Sequence, residues 1–302
     1  MPIHLPPISR RQFLARSLTA SAGLLLSPNL FAASRKVDEN TWALFSDTHV
    51  AADPAHIART VNMTANLKAV AKEVIDLPKR PAAVLISGDL AFNHGEKGDY
   101  ENFTSLLAPL RKAQMPVHLA LGNHDHRATF WDAVKHEKTI TRPVVDREVA
   151  ILRSPRANWF VLDSLDKTLS TPGLLGETQL AWLGKSLDGN ADKPAIVVVH
   201  HNPDRGQNKG SLLDSKALLE IVRARKQVKA LIFGHTHHWG IQQDESGIHM
   251  INLPPTAYPF DSTSPNGWVL AKLEKDGLGL ELRALDKAHK EHGRVVDLKW
   301  RA

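Results

Sequence analysis

Leu121-Gly122-Asn123-His124-Asp125 is the stretch on which the reading of this chain turns. A largely apolar run at 117–121 leads into it and reads as a buried strand of a sheet. At Gly122 the run breaks into three polar side chains suited to metals or phosphates, and glycine tolerates the sharp turn this requires. In open α/β sheets, ligands gather at the carboxyl ends of the strands. An Asx-type turn is the commonest use of such residues and would account for this stretch alone. Four more strand ends with the same chemistry shift that balance.

Working outward, the apolar run 41–45 ends in Ser46-Asp47-Thr48-His49, and 82–86 ends in Ser87-Gly88-Asp89. The run 195–199 ends in His200-His201-Asn202-Pro203, and 229–233 ends in Gly234-His235-Thr236-His237-His238. Between the first two, the spacing of Ile57, Val61, Leu67, Val70, Ala71 and Val74 predicts a helix over 57–75, closed by Pro78 and Pro81. Further helices are expected at 100–112, 177–187 and 212–224. Runs at 148–152 and 159–162 read as a hairpin, and strands are expected at 248–253, 268–273 and 278–282. The strand–helix alternation implies βαβ units and a largely parallel sheet. Two sheets packed face to face with helices outside fit this order. The expected fold class is therefore α/β, a four-layer α/β/β/α sandwich of two mainly parallel or mixed sheets, forming one domain over 35–302.

Composition sets bounds on the chemistry. Cysteine is absent from the 302 residues, which excludes disulfides and a thiol nucleophile. The formal charge is +6, with Arg10, Arg11 and Arg16 contributing three positive charges ahead of the first acidic residue, Asp38. Mild basicity suits an anionic substrate and is too weak to argue for nucleic acid. Ser9-Arg10-Arg11-Gln12-Phe13-Leu14 resembles the twin-arginine export motif. The apolar stretch 18–26, Pro28 and the small residues Ala32, Ala33 and Ser34 follow in the order of a cleavable signal over 1–34. That apolar part is too short for a permanent membrane helix. The expectations are a periplasmic or otherwise exported protein, a transient partner in the twin-arginine export machinery, and no stable nucleic-acid or membrane partner.

Carboxylate, imidazole and amide oxygen together make mixed N/O ligands for first-row metals. One carboxylate can bridge two ions roughly 3.5–4 Å apart. A lone histidine on a strand is more often packing, and Gly-His-Thr-His alone is a weak signal. Asp47-x-His49, Gly88-Asp89, Gly122-Asn123-His124-Asp125, His200 and Gly234-His235-Thr236-His237 occur in this order, each after an apolar strand. That set resembles the calcineurin-like metallophosphoesterases over about 42–237. Leu162-Asp163-Ser164, Gly173, Gln179-Leu180-Ala181-Trp182-Leu183 and the His200-His201-Asn202-Pro203 turn look more loosely like the branch that includes class III cyclic-nucleotide phosphodiesterases.

The resemblance implies two divalent or trivalent ions, with iron, manganese and zinc all chemically acceptable. Asp47, His49, Asp89 and His237 would hold one. Asp89, Asn123, His200 and His235 would hold the other, with Asp89 bridging. It further implies an in-line attack on phosphorus by a hydroxide between the metals, on a small phosphorylated substrate such as a nucleotide or other phosphodiester. His124 would stabilise phosphoryl charge or protonate the leaving oxygen, and Asp125 would orient it. Phe92 stands where the related purple acid phosphatases have tyrosine, so a tyrosinate–iron site is not expected. His94, His126, Arg127, His201 and Asn202 are candidates near the substrate, as are Asn93 and Arg205, and a solvated loop role suits each of them equally. His238 would point away or pack, and 252–258 would line the site from beyond the last motif. The same clamp serves diester and monoester hydrolysis; the diester is favoured and the monoester stays open. A silent binding protein on this fold ranks below both, since no ligand residue is missing.

Overall fold

Alternate residues of one strand set the layering in the computed structural model, which describes residues 36–135, 143–204 and 210–302. In chain order the strands are β1 (Val37–Phe45), β2 (Ile57–Ala58), β3 (Val61–Asn62), β4 (Arg80–Ile86), β5 (Val117–Leu119), β6 (Ala150–Arg153), β7 (Asn158–Val161), β8 (Ala195–Val198), β9 (Val228–Phe233), β10 (Gly240–Gln243), β11 (His249–Asn252), β12 (Gly267–Leu273), β13 (Gly277–Ala284) and β14 (Val295–Lys299). Successive side chains of a strand point to opposite faces. On β1, Trp42 and Leu44 join Trp159, Ile196, Val198 and Ile232 in an apolar layer shared by strands of both large sheets. Ala43 and Phe45 instead pack with Leu67, Val70, Val74, Phe103 and Leu107 of the helices α1 (Met63–Asp76) and α2 (Lys97–Lys112). On the second sheet, Phe160, Val197 and Leu231 face the helices α4 (Glu177–Asp188) and α5 (Ser215–Arg223). Between α2 and α4 in sequence lies α3 (Arg127–Val134). The result is the expected α/β/β/α sandwich.

Both large sheets are mixed, with parallel centres. One runs β14-β13-β12-β1-β4-β5 and the other β10-β11-β9-β8-β7-β6. β1, β4 and β5 are parallel, as are β7, β8, β9 and β11, and antiparallel strands close every edge except that at β5. Parallel strands covered on both faces read as near-continuous apolar runs, which is why 41–45, 82–86 and 195–199 stand out in the sequence. The hairpin expected at 148–162 is the antiparallel pair β6–β7.

The helix expected over 57–75 is a correction. Only Met63–Asp76 is helical, and Ile57–Asn62 forms the small hairpin β2–β3. Asn62 ends the non-helical segment: its side chain accepts from Ala65 N at 2.7 Å, the N-cap bond that asparagine makes well. Ile57, counted on the helix's buried face, is 63% exposed. The segment 1–34 with its twin arginines, and Arg205, lie outside the described residues. Among the described residues, no helix is long and apolar enough to cross a membrane.

Candidate metal centre

Backbone hydrogen bonds carried past the strand ends draw the motif loops together. The β1–β4 pairing continues with Asp47 N to Gly88 O (3.1 Å), His49 N to Asp89 O (3.0 Å) and Val50 N to Leu90 O (3.0 Å). In the second sheet, Gly234 N donates to His200 O at 3.0 Å. Asp47, His49, Asp89, His235 and His237 all adopt left-handed backbone, with φ between 44° and 67°. Such conformations in non-glycine residues cost on the order of 1–3 kcal/mol each and cluster at functional sites. Gly122 is required by close approach: a Cβ there would lie 2.6 Å from both Asp89 N and His200 Nε2.

The side chains form overlapping groups. Asp47, His49 and His237 present one set of ligand atoms, and Asp89, His200 and His235 another. Asp89 Oδ2 lies 3.2 Å from His200 Nε2 and 3.6 Å from His49 Nε2, so this carboxylate stands between the two sets. His237 Nε2 is 3.5 Å from Asp47 Oδ1 and 3.0 Å from His49 Nε2. Backbone carbonyls hold the other ring nitrogens: Phe92 O for His49 (3.3 Å), Tyr258 O for His237 (2.5 Å) and Ser87 O for His200 (3.1 Å). With Nδ1–H donating to a carbonyl, the Nε2 atoms of His49 and His237 carry their lone pairs into the site, as metal-bound histidines do. His49 and His237 then face each other lone pair to lone pair, an arrangement a shared cation stabilises. Asn123 Oδ1 is buried without any hydrogen-bond partner, and His200 Nε2 has the Asp89 carboxylate beside it. Leaving a buried acceptor such as Asn123 Oδ1 unpaired costs about 1–3 kcal/mol, a cost that coordination removes. The donor set therefore fits divalent metal ions.

Charge in this pocket is finely placed. Burial, reinforced by His237 and His124 and opposed by Asp89 and Asp47, lowers the His49 pKa to about 3. Burial, with His200 adding to it, lowers His235 to about 4. Burial works against charge on His200 too, yet Asp89 and Asp47 outweigh it and raise its pKa to about 9. Asp89 resists its own burial through His200 and stays well below the usual carboxylate range. Burial thus keeps His49 and His235 in the neutral form that ligates, and His200 would have to give up a proton for an ion to bind beside Asp89.

The calcineurin-like phosphoesterase family model matches residues 41–239, the span that contains every one of these side chains. The chain belongs to that family. It is similar to a 3′,5′-cyclic-nucleotide phosphodiesterase of Nostoc sp., 27% identical over 78% of this chain and 88% of that one. It is also similar to the 3′,5′-cyclic adenosine monophosphate phosphodiesterase CpdA of Haemophilus influenzae, 26% identical over 80% and 89%. Among solved structures, a dimetal phosphatase from Danio rerio shares the fold at TM-score 0.65 and 16% identity, covering 86% of this chain and 99% of that one. As a calcineurin-like phosphoesterase with its candidate ligands assembled, the protein is a metal-dependent phosphoester hydrolase.

Around this calcineurin-like centre, several other expected roles change. Asp125 does not orient His124. Its carboxylate accepts from Leu90 N, Ala91 N, Gly122 N and Tyr100 Oη at 2.9–3.2 Å, pinning the loops that carry Asp89 and Asn123. Burial, with Asp89 nearby, raises its pKa to about 7 despite those donors. His124 is held instead by Asn93 O, 3.2 Å from its Nδ1, and its backbone N donates to Asp89 Oδ1 at 2.8 Å. Arg127 is a clamp within the fold rather than a free substrate group: Nε and Nη2 grip both oxygens of buried Asp163 at 2.7 and 2.9 Å. His126 caps α3, with Nδ1 2.8 Å from Thr129 Oγ1.

His201 is fully buried, bonded to Ser164 Oγ at 2.7 Å and packed 4.5 Å from the His235 ring, so it supports a ligand rather than facing substrate. Asn202 donates to Ser211 Oγ (2.9 Å). His94 is exposed beside the Asn93 turn. His238 points to Ser264 Oγ (3.2 Å), away from the ligands as expected. Tyr258, at the end of the stretch expected to line the site, stacks on His49 with ring centroids 5.5 Å apart. Phe260 and Arg59 escaped the sequence reading. An aromatic in a proline-rich loop and an arginine inside an assumed helix carry no motif.

Proposed function

We propose that the chain is an exported phosphodiesterase that uses two metal ions to hydrolyse a small phosphodiester of the cyclic-nucleotide class. One observation carries the reading: two ligand sets meet at Asp89, with Asn123 Oδ1 buried beside them and unpaired. Asp47, His49, Asp89 and His237 would hold one ion, and Asp89, Asn123, His200 and His235 the other. Bound there, the ions supply an acidified water and neutralise charge on the phosphoryl oxygens. The protein's own part is to fix the ligands through carbonyls and left-handed turns. It also holds His124, by Asn93 O, leaving its other ring nitrogen free, and that nitrogen would serve the leaving oxygen. The diester preference draws on the named activities of the relatives, and the monoester remains the alternative.

Elemental analysis of the active, purified chain should give two ions per molecule, and chelation should remove activity. The metal-loaded protein should then hydrolyse 3′,5′-cyclic AMP and bis(p-nitrophenyl) phosphate with higher kcat/KM than p-nitrophenyl phosphate. The reverse order would make it a phosphomonoesterase, and one ion in fully active protein would end the binuclear reading.

Export is the second part of the proposal, resting on Ser9-Arg10-Arg11-Gln12-Phe13-Leu14. The twin arginines are a receptor-read address rather than a generic charge. Changing both Arg10 and Arg11 to Lys should hold the precursor in the cytoplasm, as seen by fractionation. Normal amounts outside the cytoplasm would rule out this route.

A further inference from the structure

A cation held on aromatic rings stands at the mouth of the metal centre. Ile57 pairs with Asn62 and Ala58 with Val61, so the β2–β3 hairpin turns through just Arg59 and Thr60. Both residues are left-handed, with φ of 48° and 68°. Two-residue hairpin turns of this kind favour Asn-Gly, because positive φ strains other side chains. The hairpin is held in that conformation by packing: Ala58, Val61 and Phe92 lie against Met63, Ala257 and Tyr258. It places the Arg59 guanidinium 5.0 Å from the Phe260 ring centre and 5.7 Å from that of Tyr258. Phe260 in turn lies flat on His237, with centroids 4.1 Å apart and planes 8° apart. Phe260 is 57% exposed. Arg59 is also exposed, and among the described residues its guanidinium makes no hydrogen bond or ion pair.

We propose that Arg59 and Phe260 form the subsite for the organic arm of the substrate and select a phosphodiester whose arm is a planar, hydrogen-bond-accepting ring, the chemistry of a nucleobase. This rests on the phosphodiesterase reading and adds to it the residues that choose the arm. Phe260 lies between His237 and the Arg59 guanidinium, so it ties the guanidinium to a candidate ion ligand. Arg59 supplies the outer flat surface on which a planar ring can stack and an edge of N–H donors, which lysine could not reproduce. An aliphatic arm such as glycerol has no π face and gains little from either residue. The strained turn holds Arg59 in place before substrate arrives, so less ordering is needed on binding.

The test compares 3′,5′-cyclic AMP with glycerophosphoethanolamine as substrates of the metal-loaded full chain. Two variants are used: Phe260→Leu, and Arg59→Asn combined with Thr60→Gly. The second installs the residues such a turn prefers, so the hairpin should fold at least as well without the guanidinium. Each variant should lose about tenfold or more in kcat/KM for cyclic AMP, the scale of one lost base–aromatic stack. Hydrolysis of glycerophosphoethanolamine and the ion content should be unchanged. Equal losses on both substrates, or none on cyclic AMP, overturn the subsite. A wild-type protein holding two ions yet inert to both diesters overturns the phosphodiesterase reading along with it.

Discussion

Asp89→Ala is expected to strip both ions from the protein and to cost more activity than any other single ligand change. Its Oδ2 stands 3.2 Å from His200 Nε2 and 3.6 Å from His49 Nε2, one in each ligand set. Its Oδ1 also accepts from His124 N at 2.8 Å, so the carboxylate organises the third functional loop as well. Losing even an outer partner of a metal ligand costs about 10–100-fold in affinity or activity, so losing a direct ligand at two sites should cost about 10²–10⁴-fold or more. His49→Ala touches one set and should leave the other ion in place. Asp89→Asn keeps the shape but not the bridging anion, and should fall between wild type and alanine. Elemental analysis and kcat/KM on the three variants check this, with thermal unfolding as a control. Two ions retained in Asp89→Ala would remove the bridge from the assignment.

The same residue shows how fold and site depend on each other. Asp89, Asp47, His49, His235 and His237 sit in left-handed backbone, a conformation uncommon outside glycine. The local cost is met by the surrounding contacts. Asp47 accepts from His235 N through both oxygens at 3.2 Å, and Asp125 gathers three backbone N–H groups from the neighbouring loops. Each motif loop is therefore held by another motif loop rather than by its own strand alone. A site assembled in this way is pre-organised before any ion arrives.

What could be read from the sequence was whatever follows from local pattern. Strands such as β4 and β8 are apolar on both faces because both faces are covered, and their polar exits mark the site directly. Partners fixed by tertiary approach left no such mark. Arg127 and Asp163 are 36 positions apart, so the clamp that removes Arg127 from the substrate list appears only when α3 meets the end of β7. Asp125 follows His124 in sequence, yet its carboxylate also takes donors from Leu90, Ala91 and Tyr100, which lie on other loops and on α2. The apolar spacing of Ile57 and Val61 fits a helix, but Asn62 caps the true helix and the turn at Arg59 needs φ values that no spacing encodes. The edge strand β14 is largely exposed, and its Val295-Val296-Asp297-Leu298-Lys299 sequence has no sustained apolar run.

His124→Ala is expected to keep both ions and lose about 10²–10⁴-fold in turnover, the range typical of a positioned acid–base group. The geometry makes this a sharp test, because His124 is close enough to be mistaken for a ligand. Its ring centre lies 4.9 Å from that of His49, and its ligand atom groups with those of His49 and Asp89 within 4.8 Å. What separates it from them is support and exposure: it is half-buried where His49 is fully buried, and Asn93 O holds its Nδ1 from the outer loop. That leaves Nε2 as the atom to meet substrate. If it protonates the leaving oxygen, the loss should depend on what leaves. A nitrophenolate departs with little help, so bis(p-nitrophenyl) phosphate should suffer least, and a nucleoside alkoxide from cyclic AMP should suffer most. Equal losses along that series would assign His124 to charge stabilisation at phosphorus, as an electrostatic donor rather than an acid. Loss of an ion from His124→Ala would make it a ligand, and the cluster with His49 and Asp89 would then be part of the metal centre itself.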